Sequence, residues 1–165
     1  MVLYLVRHGI AVDREDPDCP PDAERPLTKK GVEKARLVMA GLLQLGAKPD
    51  VVLSSPLVRA WQTAEIAAAA LHYAKEKIRR SEALLPDADP AALTRELARL
   101  HVDEVLCAGH ATHLDEFIAH ATGNRRSFTG LKKAGVACLE FESVTAGAGI
   151  LTALYPPRVF RALAD

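Results

Sequence analysis

Val2-Leu3-Tyr4-Leu5-Val6-Arg7-His8-Gly9 is the stretch from which the rest of the chain can be read. A compact apolar run that breaks off at a polar, glycine-containing turn is the pattern of a strand buried on both faces. Two further runs repeat it. Asp50-Val51-Val52-Leu53 leads into Ser54-Ser55-Pro56, and Glu104-Val105-Leu106-Cys107-Ala108 leads into Gly109-His110.

Helical patterns separate the runs. Thr28 is an expected N-cap for a segment in which Val32, Ala35, Val38, Met39, Leu42 and Leu43 recur at helical spacing, closed by Gly46. Ser55 is expected to cap, and Pro56 to open, an alanine-rich helix to about Tyr73 with Trp61 as its large anchor. Asp89-Pro90 starts another, with Leu93, Leu97 and Leu100 on one face. Thr112 with Asp115 has the form of a capping box for a helix to Ala121, ended by Gly123. Lys77 to Leu84 is read as holding a short strand. Val136 to Phe141 and Ile150 to Tyr155 are read as two strands joined through Ala146-Gly147-Ala148-Gly149. Ala11 to Pro26, rich in Asp and Pro, is expected to be irregular. Strands alternating with helices predict an α/β fold: three layers, α/β/α, with a mainly parallel central sheet and an antiparallel edge hairpin.

At 165 residues and 17.8 kDa the chain is expected to form one domain over residues 1–165. Apolar residues make up 49% and charged residues 25%, which argues against a disordered chain. Lys+Arg and Asp+Glu are both 21, so no basic excess marks a nucleic-acid binder. No apolar run is long enough to cross a bilayer, and Val2 to Val6 is too short for a signal peptide. Cys19, Cys107 and Cys138 are odd in number and lack a framework spacing; they read as free thiols in a reducing, cytoplasmic setting.

In such folds ligands sit outside the carboxyl ends of the strands. The three runs would deliver Arg7 and His8, then Ser54, Ser55 and Arg59, then Gly109 and His110, to one rim. Arginine forks suit phosphoryl oxygens, and Arg59 would also lie near a helix N-terminus that favours anions. A neutral histidine can attack phosphorus, and a second can donate to the charge that develops there. The chemistry that fits is phosphoryl transfer through a phosphohistidine, with side chains supplying the positive charge and no metal or cofactor needed.

Other groupings carry less. His110 and His113 stand three apart, yet no carboxylate or cysteine set completes a metal site. His72, His101 and His120 read as surface or satisfied core histidines. Cys19 to Arg25 matches a Cys-x5-Arg spacing, but Pro20, Pro21, Asp22 and Glu24 inside it would repel phosphate. No Walker lysine loop, Gly-x-Ser-x-Gly elbow or dinucleotide glycine fingerprint is present.

Leu5-Val6-Arg7-His8-Gly9 resembles the Arg-His-Gly signature of the histidine phosphatase superfamily. The resemblance continues through Arg25-Pro26-Leu27-Thr28-Lys29-Lys30-Gly31, through Ser54 to Ala64, and to Gly109-His110, covering Met1 to about Glu142. The short length and the Arg-Pro-Leu-Thr block are most similar to the compact, SixA-type phosphohistidine phosphatases. The resemblance implies a phosphoglycerate mutase-like fold, with His8 as nucleophile, Arg7, Arg59 and His110 binding the phosphoryl group, and Arg25 bordering the pocket. It places an acid near Glu82, with Asp87, Asp89 and Asp13 as competitors. A solvated loop carboxylate is the plain alternative for Glu82. Ala111-Thr112 departs from the pair, such as Asn-Pro, that often follows Gly-His in the family.

The expected substrate is a phosphorylated protein, in particular its phosphohistidine, or a small phosphorylated metabolite; neither nucleic acid nor a membrane is expected as partner. The oligomeric state is left open by the sequence, a monomer being sufficient. A mutase is disfavoured, since such relatives carry a longer insertion over the substrate. The alternative from another class is a phosphate- or phosphoprotein-binding module without turnover.

Overall fold

A computed structural model describes the backbone of residues 1–164 and the side chains of residues 1–160. Its strands are β1 (Val2–Arg7), β2 (Val51–Ser54), β3 (Arg79–Arg80), β4 (Glu104–Gly109), β5 (Val136–Glu140) and β6 (Ile150–Tyr155). Its helices are α1 (Lys29–Gln44), α2 (Val58–Ala70), α3 (Pro90–Leu97), α4 (His113–Ala121) and α5 (Pro157–Ala164). One sheet runs in the order β3-β2-β4-β1-β5-β6. The first four are parallel; β5 pairs antiparallel with β1, and β6 with β5, so the hairpin forms an edge.

Two apolar cores lie on the two faces. Val38, Met39 and Leu42 of α1, Ala64, Ala67 and Ala68 of α2, and Phe160 of α5 pack on one. Leu93 and Leu97 of α3 with Leu114, Phe117 and Ile118 of α4 pack on the other. Helices on both sides explain why β2 and β4 read as unbroken apolar runs: neither has a wet face.

Register then sets the site. Arg7 pairs with Gly109 and Ser54 with Ala108, so β1, β2 and β4 end side by side. The His8 N–H continues the ladder to the Gly109 carbonyl at 2.9 Å, and the Ser55 N–H to the Ala108 carbonyl at 3.0 Å. His8, Ser55 and His110 therefore leave the sheet along one edge. Gly31, in the first turn of α1, lies so close to the Ile10 backbone that a Cβ there would overlap the Ile10 carbonyl. That contact seats α1 directly behind the loop following His8.

Several local expectations are corrected. α2 begins at Val58 rather than Pro56, and Ser55 does not cap it conventionally: its Oγ accepts a long bond from the Leu57 N–H at 3.4 Å and faces His110 instead. Thr112 makes no capping bond; Asp115 turns away to Thr129 and Leu131. The segment Lys77 to Leu84 keeps only the two-residue β3, flanked by 3-10 turns at Lys75–Lys77 and Glu82–Leu84. α5 is not anticipated by the sequence reading. It is short, and what seats it is tertiary, the Phe160 ring lying against Gly41.

Candidate active site

His8 is 8% exposed, and its Nδ1 lies 2.7 Å from the Gly9 carbonyl oxygen. A carbonyl only accepts, so Nδ1 carries the proton and Nε2 keeps its lone pair. The loop is braced from behind. The Gly9 N–H donates to Thr63 Oγ1 at 3.1 Å, and that hydroxyl donates to the Arg59 carbonyl at 2.7 Å. Burial pushes the His8 pKa down to about 4 against the Gly9 hydrogen bond, helped by the positive charges of Arg59, Arg7 and Lys133. The ring is neutral at pH 7.

The His110 ring is tilted 56° to that of His8, with centroids 5.1 Å apart. Its Nε2 lies 2.9 Å from Ser55 Oγ. Ser55 Oγ, which also accepts from the Leu57 N–H, can meet Nε2 either by donating its proton to the ring lone pair or by accepting from an Nε2–H. In the tautomer in which Ser55 donates, the His110 proton is on Nδ1, which is buried without a protein partner among the described residues. Burial pushes His110 down to about 3, with His8, Arg59 and His113 adding to the effect and Asp22 opposing it.

Arg59 enters from the first turn of α2 and is 2% exposed. Its Nη1 donates to the Asp22 carbonyl at 2.6 Å and its Nη2 to Asp22 Oδ2 at 3.1 Å, while Nε has no partner among the described residues. Asp22 also receives Arg25 through Nε and Nη2 at 3.0 and 2.9 Å, and Arg14 through Nε and Nη2, both at 3.0 Å. Partial desolvation works against ionisation, but Arg59, Arg25 and Arg14 hold the Asp22 carboxyl below its usual range. Arg25 is almost buried and fixes the irregular segment by donating to the Val12 carbonyl at 2.7 Å.

Arg7 is anchored differently. Its Nη1 donates to the Leu131 carbonyl at 2.8 Å, and its Nε is another buried donor without a partner among the described residues. Leu131 is held by buried Asp115, whose Oδ1 accepts from the Leu131 N–H at 3.0 Å and from Thr129 Oγ1 at 2.6 Å. The Ala134 N–H reaches the carbonyls of both Arg7 and His8. Arg7, Arg59 and His110 thus surround His8 with buried nitrogens that nothing among the described residues satisfies, and donors so placed are what an oxyanion needs.

The candidate acids fare unequally. Glu82 is exposed, in the 3-10 turn whose Leu84 packs against Gly109 beside His110, and its carboxylate makes no hydrogen bond or ion pair among the described residues. Asp89 caps α3 through the Ala91 N–H and faces Arg95. Asp13 accepts from the Glu15 N–H in an exposed turn. Asp87 and Asp89 act electrostatically on His113. His113 is fully buried with neither ring nitrogen partnered, and among the described residues no cluster of three metal-ligating side chains forms. Cys107 and Cys138 are buried free thiols.

The histidine phosphatase superfamily (branch 1) family model matches residues 3–84. An uncharacterized protein of Picosynechococcus is 39% identical over 140 residues, 82% of each chain. The chain belongs to the histidine phosphatase superfamily. Among solved structures of the superfamily, the protein histidine phosphatase SixA complexed with tungstate superimposes with a TM-score of 0.85 at 23% identity, covering 96% of this chain and 99% of that one. A likeness at that identity speaks to the fold. The mitochondrial serine/threonine-protein phosphatase Pgam5 of Drosophila persimilis is 36% identical over 77 residues, which is 47% of this chain but 25% of Pgam5.

Asp22 and Asp115 were not anticipated at this superfamily site from sequence, and Ser55, expected at the rim, has a partner there that was not. Asp22 carries a signal in hindsight, standing three before Arg25 in the otherwise repellent Pro-Asp stretch. Ser55 orients His110, and Asp115 pins the Arg7 anchor; both contacts join distant parts of the chain, and no local spacing announces them.

Proposed function

We propose that this chain is a phosphatase working through a covalent phosphohistidine on His8, and that its substrate is phosphohistidine in a protein. The observation that carries this is the His8 tautomer. Nδ1–H is committed to the Gly9 carbonyl, leaving a neutral Nε2 as nucleophile among the unpartnered donors of Arg7, Arg59 and His110. Nε2 attacks phosphorus; the P–Nε2 bond forms as the bond to the leaving imidazole breaks, and that imidazole takes up a proton. Water then attacks the phosphoryl on His8, inorganic phosphate departs, and His8 returns to its starting tautomer.

Arg7 and Arg59 bind phosphoryl oxygens, His110 Nδ1–H donates to one, and Arg25 borders the pocket through Asp22. These charges replace what a metal would supply. An imidazole leaves readily, its conjugate acid having a pKa near about 6.5, whereas an alkoxide needs a general acid. Glu82, exposed and unanchored, is the acid only for such harder leaving groups. Cytoplasmic residence fits the free thiols and the lack, among the described residues, of a helix long and apolar enough to cross a membrane.

The test is rapid quench with labelled substrate. Label should be trapped in an acid-labile, alkali-stable linkage, and His8→Ala should abolish trapping and turnover. Equal labelling of the variant would sink the reading. Extensive chelation should leave turnover of an aryl phosphate unchanged.

A further inference from the structure

Beside Arg7, away from Asp22, an open groove of about 580 Å³ runs between Ile10, Lys34, Lys132, Lys133 and Arg158. Five cations line it, counting Arg7, and no carboxylate does. None of the five makes an ion pair among the described residues. They come from four places in the chain: the end of β1, the middle of α1, the segment before β5, and the first turn of α5. A second groove of about 450 Å³ shares Lys34 and Arg158 and adds Lys30 and one carboxylate, Glu33, so cations outnumber acids three to one as the surface continues outward along α1.

In a chain whose charges sum to zero, such a concentration is a segregation. Acids are concentrated elsewhere in the chain, with Asp13, Glu15, Asp16, Asp18, Asp22 and Glu24 in the irregular segment whose Asp22 holds Arg59. Like charges packed without partners repel one another, so the groove is costly unless an anion visits it. It is also mechanically tied to the chemistry. Lys132 and Lys133 lie between Leu131, which holds Arg7, and Ala134, whose N–H binds the carbonyls of Arg7 and His8. The same segment carries Arg125, Arg126 and an exposed Phe128, 54% accessible.

We infer that this groove is a docking subsite for a carboxylate-rich protein surface next to the phosphorylated residue. It rests on the phosphatase reading above and names the chemistry of the substrate protein. A surface reaching from Arg7 past Lys34 into the neighbouring groove is broader than one small phosphorylated molecule requires, and an exposed aromatic among arginines suits a protein contact. Rim charges of this kind set encounter rate and partner choice and leave the chemical step alone.

The test uses the full chain and three substrates: a phosphohistidine peptide flanked by Asp and Glu, the same peptide with neutral flanks, and an aryl phosphate. The acidic peptide should be preferred by about tenfold in kcat/KM at low salt, the preference shrinking as salt screens it. Lys34→Glu combined with Arg158→Glu should erase the preference through KM, with kcat and aryl phosphate turnover unchanged. No preference in the wild type, or an equal loss on all three substrates, would overturn the docking site. Tighter binding of a short RNA than of the acidic peptide would overturn its assignment to protein. Should aryl phosphate turnover prove independent of His8, the catalytic reading fails instead. The groove is then judged by binding of the unphosphorylated acidic peptide: binding stronger than for the neutral peptide supports it, and equal binding ends it.

Discussion

Arg59 and Arg7 flank the same imidazole, yet they are held by opposite means. Arg59 is latched by a carboxylate and carbonyl of Asp22, which also gathers Arg25 and Arg14. Arg7 is latched by a neutral carbonyl, that of Leu131, with the carboxylate of Asp115 one step behind. The first arrangement neutralises much of the charge it positions. The second leaves the charge of Arg7 uncompensated by direct contact, and Lys132 and Lys133 add to it. One rim is therefore built for a fixed geometry, the other for a surplus of positive potential.

The largest effect should come from the latched side. Arg59→Lys keeps the charge but loses the planar fork and its contacts to Asp22, and kcat/KM should fall by about 10²-fold or more on every substrate. Wild-type kinetics would make Arg59 a structural residue and dissolve the contrast.

Asp22→Asn tests whether the latch positions or competes. It retains the backbone carbonyl that Arg59 Nη1 uses but loses the ionic hold on three arginines. A loss of about tenfold, partly rescued by Asp22→Glu, is expected if the carboxylate positions Arg59. A gain in activity would mean that the carboxylate contends with phosphate for the fork.

Both rims press on His8, so acid titration sharpens the comparison. The unfolded chain binds a proton at about pH 6.5, whereas burial and the neighbouring Arg59, Arg7 and Lys133 hold folded His8 down to about 4. The unfolded state thus binds more protons between these values. Stability is complete above pH 6.5 and declines as pH falls from there to about 4, with His110 extending the decline to about 3. Denaturant titrations should show that slope, and His8→Asn should make it shallower, the remainder coming from His110. An unchanged slope would mean that His8 is not held neutral by the fold.

On phosphohistidine, the smallest effect belongs to Glu82→Gln. Phosphohistidine and activated aryl phosphates should be nearly unaffected, while alkyl phosphates slow strongly. A uniform loss would indicate a positioning role. No loss on any substrate would leave Asp87, since Asp89 and Asp13 are engaged in backbone contacts elsewhere.

The difference between the rims also marks how far the sequence could be read. Every strand that ends at the site is a local apolar run, so β1, β2 and β4 were legible, as was the β5–β6 hairpin. The positions of His8, Arg59 and His110 follow from strand ends alone. Asp22 was visible only as an obstacle to phosphate, and its service to three arginines depends on how an irregular segment folds back. The missed helix α5 and the Ser55–His110 contact fail for the same reason: their partners lie 119 and 55 residues away.

By itself, then, the sequence determined the alternation of strands and helices, the order of the site residues and the chemistry they can support. These rest on local periodicity and residue type, which a single segment carries. Only the tertiary structure decided which nitrogen of His8 is free, which anchor each arginine takes, and that lysines from separate elements share one groove beside Arg7. Those depend on hydrogen-bond direction and long-range charge, and both exist only once the sheet has brought its strand ends together.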